Sequence, residues 1–122
     1  MAKVEVVRNE ALAEAASRDG NLTRTTAFQH GEVWAGHARV GAGKNSGWHH
    51  LGENDTYMYA LSGEGRLDSG PGGKDSVDLK PGDAAFIPAH PIHREVTGTA
   101  ELTGFVVRVG RGPFVFPADG PE

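Results

Sequence analysis

From Asn21 to Val109 apolar and polar residues alternate in short runs, and glycine or proline interrupts them at intervals of about 8 to 12 residues. "TRTTAFQ", "EVWAGHARV", "TYMYALSG", "GRLDS", "SVDLKPGD", "AAFIPAH", "HREVTG" and "ELTGFVVRVG" all read as strands, the last two as a closing hairpin. With "VEVV" at residues 4–7 this makes roughly nine strands. Only "NEALAEAASRDG", residues 9–20, has helical character. Asn9 is placed to cap it, alanines with Leu12 and Glu14 favour it, and Gly20 is placed to end it. Many short strands with frequent turns predict an all-β sandwich or closed barrel with a short N-terminal helix.

Composition narrows the function classes. The chain has 122 residues, the length of a single domain spanning 1–122. Its 18 glycines and 7 prolines have no collagen period and belong to tight turns. There is no cysteine, which excludes disulfides, thiolate metal sites and a cysteine nucleophile. The formal net charge is -4 and the basic residues are scattered, which argues against a nucleic-acid partner. No run is long and apolar enough for a membrane span, and "MAKVEVVRNE" has no apolar leader. The expectation is a soluble cytoplasmic protein. "SGEGRLDSGPGG" lacks the Lys-Ser/Thr of a phosphate loop, and there is no G-x-S-x-G elbow.

The candidate chemistry lies in "SGWHHLGENDTYMYALSGEG", residues 46–65, and "PGDAAFIPAHPIHRE", residues 81–95. On a strand through "GWHHL", His49 and Leu51 share one face and Trp48 and His50 the other. In "TYMYAL", Thr56 and Met58 lie opposite Tyr57 and Tyr59.

These two stretches resemble the paired motifs of the cupin superfamily. The first motif, G-x5-H-x-H-x(3,4)-E-x6-G, aligns with Gly43, His49, Leu51, Thr56 and Gly63. The second, G-x5-P-x-G-x2-H-x3-N, aligns with Gly82, Pro88, His90, His93 and Thr97. The motifs span about 43–63 and about 82–97. The resemblance implies a double-stranded β-helix, a jelly-roll barrel with a pocket in its mouth. It also implies a metal held by histidines and a glutamate. Here His49 and His93 stand at ligand positions, but Leu51 replaces a histidine and Thr56 the glutamate.

Two histidines need at least one further N or O donor to form a facial triad. Glu53 or Asp55 is placed to supply a carboxylate. His50 would enter through a bulge, and His37 from a neighbouring strand. His90, at a glycine position of the frame, suits a turn or rim. Leu51, Thr56, Met58, Phe86 and, at the mouth, His90 are expected to line the pocket.

Two functions follow. One is a mononuclear enzyme of dioxygenase, isomerase or cyclase type, using one divalent transition metal (iron, manganese, nickel, copper or zinc). The other is a metal-free, non-catalytic module that binds or senses a small organic molecule. The resemblance also implies a homodimer, with "GPFVFP" and the N-terminal strand as candidate contacts.

Overall fold

A computed structural model describes residues 3–14, 16–113 and 115–122. Its elements are α1 (Asn9–Glu14), β1 (Ala16–Asp19), β2 (Leu22–His30), β3 (Val33–Val40), β4 (His49–His50) and β5 (Asp55–Ser62). β6 (Gly65–Ser69), a 3-10 turn at Pro71–Gly73, β7 (Asp75–Leu79), β8 (Ala84–Ile87), β9 (Arg94–Thr97), β10 (Leu102–Val109) and β11 (Phe116–Pro117) follow.

The strands form two facing layers. The first sheet runs β1-β2-β3-β10-β5-β8. The second runs β7-β6-β9, and single bridges His49↔His93 and Asn45↔Val96 join β9 to the β4 segment, which pairs with β11. Inward residues follow the pleat: along β10, Leu102, Gly104, Val106 and Arg108 are buried, while Phe105 and Val109 face out. Leu22, Trp34, Val40, Met58, Ala60, Leu79, Leu102 and Val106 make one core between the layers. Gly104 is required there, because a Cβ would stand 2.3 Å from the Met58 methyl.

Four local expectations change. Residues 4–7 form no strand, and Val4 lies almost fully exposed. The helix stops at Glu14 instead of running to Gly20. Residues 16–19 pair with 22–25 of β2 through a two-residue loop with Gly20 at φ 60°. Ladder formation with a neighbouring strand outweighs the helix propensity of the alanines. β9 and β10 are not a hairpin: β9 pairs with β6 in one sheet, β10 with β3 and β5 in the other. Around the histidine pair only residues 49 and 50 are in strand conformation.

The glycines of the family frame have a common cause. Gly43, Gly63 and Gly82 have φ of 68°, 80° and 93°, a region that suits glycine. His90, at the fourth glycine position, has φ 80°.

Candidate metal centre

His49 and His93 face each other across an antiparallel bridge, with backbone N–O distances of 3.0 and 2.9 Å. Opposite residues of such a pair present side chains to the same face, and the two rings lie 4.3 Å apart. Glu95 follows His93 by two positions, so it points the same way. Its strand is fixed by Ser46, whose N–H donates to the Glu95 carbonyl and whose hydroxyl accepts from the Glu95 N–H, both at 2.9 Å. On the other face of β9, Arg94 lies over the Trp48 ring at 4.3 Å and donates to Asp68 at 2.9 Å. The Arg66 guanidinium, with the Ser76 hydroxyl and Arg94, holds the Asp68 carboxyl down at about 2.

The three inward side chains converge. Nε2 of His49 is 3.7 Å from one Glu95 oxygen, and Nε2 of His93 is 3.6 Å from the other. One donor atom from each residue lies within 4.8 Å of the rest. Both imidazoles direct Nδ1 at a carbonyl, His49 at Gly47 (2.8 Å) and His93 at Pro91 (3.3 Å). A carbonyl only accepts, so Nδ1 carries the hydrogen and Nε2 is left for the centre. Metal-bound histidines are oriented in this way.

Electrostatics distinguishes the two histidines. Burial pushes His49 below its ordinary imidazole value, against the pull of Glu95. Burial also pushes His93 down, but the Glu95 carboxylate, by contact and by charge, brings it above the ordinary value. Burial pushes Glu95 up, and the imidazoles, His93 first, bring its carboxyl down to about 2. At neutral pH the His49 Nε2 lone pair therefore faces a carboxylate. Nε2 of His93 and Oε2 of Glu95 are buried with no hydrogen-bond partner. A cation between these two buried atoms, bound in place of any proton on His93 Nε2, would satisfy both. Two imidazoles and a carboxylate are also the donor set of a facial triad. On both counts the residues fit a metal ion.

A cavity of about 20 Å³ adjoins Glu95, bounded by Leu51, Thr56, Met58, Ile87 and Arg108 among others. That is room for one water or ion and not for an organic substrate. Arg108 is buried, with its guanidinium 4.8 Å from the Trp34 ring, and its charge pushes both imidazoles down.

The other sequence candidates lie outside this group. His50 stacks on Phe116 at 4.8 Å and accepts from the Gly52 N–H. His37 packs edge-on to Phe105 on the outer sheet face. Glu53 is exposed and paired with His90 at the rim, at 3.6 Å. Asp55 accepts from the Ala89 N–H at 2.9 Å, which ties down the loop leading to His93. Leu51, Thr56 and Met58 face the inner cavity. Phe86 is half exposed against Tyr57 and lines the cleft between β7 and β8 instead of the inner cavity. Glu95 escaped the sequence reading because the family frame places its glutamate in the first motif. The available signal was H-x-E across residues 93–95, a spacing that puts both groups on one strand face.

No family model and no curated protein matches the sequence. Solved structures do resemble the fold. A conserved protein with a double-stranded β-helix domain from Klebsiella pneumoniae is 15% identical, with 96% of this chain and 99% of that one covered, at a TM-score of 0.74. Ectoine synthase from P. lautus is 12% identical over 98% and 93% of the two chains, at 0.75. A cupin superfamily protein from Desulfitobacterium hafniense is 20% identical over 90% and 100%, at 0.66. With its two facing sheets and its His49–His93 bridge, the chain has the cupin fold, a double-stranded β-helix.

Proposed function

We propose that the chain is a mononuclear metal-dependent enzyme acting on a small organic molecule, with His49, His93 and Glu95 as the protein ligands. The observation that carries this is the convergence of three buried donors, two of them without a hydrogen-bond partner. When bound, a divalent transition metal polarises a substrate oxygen or activates dioxygen. The chain's own residues hold the imidazoles in the correct tautomer through Gly47 and Pro91 and keep the centre dry through Leu51 and Met58. Arg108 supplies a fixed positive charge beside the inner cavity, which favours an anionic oxygen on the bound molecule. The enzyme class is supported by fold neighbours such as ectoine synthase, though fold alone does not select a reaction.

One observation favours the metal-free alternative. His93 is drawn up and Glu95 down, so an imidazolium–carboxylate pair is a self-consistent charge state for a small-molecule binding module. Elemental analysis of the purified, untagged protein separates the two. A near-stoichiometric transition metal that is lost in the His49→Ala/His93→Ala variant supports the enzyme. No metal in the native protein, and none taken up on reconstitution, rejects it.

The proposal includes a homodimer. It is supported by the exposed Tyr57, Tyr59, Phe86 and Phe105 on the outer face of the six-stranded sheet. Of the segments suggested by sequence, Val4 and Val6 are exposed, and Phe114 of "GPFVFP" lies outside the described residues.

A further inference from the structure

A second cavity, of about 650 Å³, opens between β6–β7 and β8, within the range of small-molecule sites. β7 and β8 are the last strands of their sheets, so the two layers part there. Strand register gives the cleft a direction. Glu95 pairs with Leu67 and Leu67 with Val77, so the three side chains form a row on one face of the second sheet. The row starts at the Glu95 carboxylate and ends at Val77, which is 63% exposed although it lies on the inward face. Opposite it, Ala85 and Ile87 face in from β8. His93 closes the inner end of the cleft, while Glu95 borders the small inner cavity. Among the described residues Ile87 alone lines both spaces, and it is buried.

We propose that this cleft holds the apolar body of the substrate, and that Ile87 determines how large that body is where it meets the metal. This rests on the metal-centre reading above. The substrate class is a small molecule with an oxygen-donor head, which would be directed at the His93 end of the cleft. Its apolar or aromatic body lies along Leu67, Val77 and Ala85. The inner cavity accepts the head alone, since about 20 Å³ admits a single small group. The cleft walls are mostly apolar, Phe86 included, with Asp78 and Asp83 also among the lining residues. An uncharged body therefore suits it better than an anionic one.

The test uses the full chain loaded with Co²⁺, titrated with two hydroxamates that share a metal-binding head. Acetohydroxamate has a methyl body and benzohydroxamate a phenyl body, and binding is followed by the cobalt d–d absorption. Ile87→Ala is expected to tighten benzohydroxamate about tenfold relative to acetohydroxamate, the scale of a pocket-size change. Val77→Trp, at an exposed position, is expected to weaken benzohydroxamate about tenfold and leave acetohydroxamate within about twofold. Val77→Trp keeps the test decisive if Ile87→Ala does not fold. Cobalt uptake with a benzohydroxamate affinity indifferent to the substitutions overturns the cleft assignment alone. Failure of the wild-type chain to take up cobalt overturns the metal reading and this one with it.

Discussion

The Glu95 carboxylate lies 3.6 Å from Nε2 of His93, two residues before it on one strand face. The pairing converts two histidines, too few donors for a stable site, into a triad. Glu95→Gln keeps the shape and removes the charge. Metal affinity is expected to fall by at least about 100-fold, since even outer groups that orient ligands contribute 10- to 100-fold. Far-ultraviolet circular dichroism should remain unchanged. Glu53→Gln and Asp55→Asn, on carboxylates outside the group, should leave affinity within about twofold. Equilibrium dialysis against Zn²⁺ measures all three. A full complement of tightly held zinc in Glu95→Gln would remove this residue from the ligand set.

Proton and metal compete for Nε2 of His93. Glu95 raises the folded-state value of this imidazole above its ordinary one, despite the burial that lowers it. The proton is therefore bound over a wider pH range, up to values above about 6.5. Metal binding must displace it. Affinity should be greatest at pH well above that value and fall as pH drops through the His93 titration, approaching about tenfold per unit for one proton. His49, pushed down by burial, adds a second proton only at lower pH. Without metal the sign for folding is opposite: the raised His93 stabilises the fold below its unfolded value and loses that contribution as pH rises through its folded value. Isothermal titration in buffers of different ionisation enthalpy counts the protons released. Release of none near neutral pH would contradict the assignment.

His90 sits at φ 80°, where an L residue is strained by roughly 1–2 kcal/mol. Its contact with Glu53 is between two exposed side chains and contributes little. His90→Gly removes the strain and gives back part of the gain through a freer unfolded chain. The expected net is about 1 kcal/mol of added stability, or roughly 3–5 °C in Tm. His90→Ala keeps the Cβ and should show no such gain. Calorimetry of both variants is the check, and equal Tm values would deny the strain.

Much of this was legible beforehand, for identifiable reasons. Turn glycines are written into sequence because left-handed φ demands them, so Gly43, Gly63 and Gly82 mark the frame correctly. Alternation along "TYMYAL" places Thr56 and Met58 inward. Long-range pairing leaves no such mark. Nothing local in "ASRD" shows that it joins β2, and nothing in "HREVTG" shows that it pairs with β6 across the barrel. The same blindness hid the candidate triad: Glu53 and Asp55 are near His49 in sequence, while Glu95 reaches it through the His49–His93 bridge.

The outer face of the six-stranded sheet carries a connected apolar surface. Tyr57 pairs in register with Phe86 and Val107, and Phe105 with Tyr59 and His37. The four rings are 36% to 53% exposed. At 150–250 Å² per aromatic they leave roughly 400 Å² of ring surface in water. Leu61, Val33 and Val109 extend the same face. The largest patch on a typical monomer is about 300–600 Å², and a standard interface takes about 800 Å² per partner. A two-fold dimer that stacks these faces covers the rings, with Phe86 at the boundary between that face and the cleft between β7 and β8. Sedimentation velocity should therefore show a dimer at micromolar concentration. Tyr57→Lys/Phe105→Lys is expected to weaken it at least about 100-fold, because two charges would enter a desolvated centre. Metal content should be unaffected, since neither residue touches the triad. A wild-type chain that sediments as a monomer at high concentration would leave this face without a second copy.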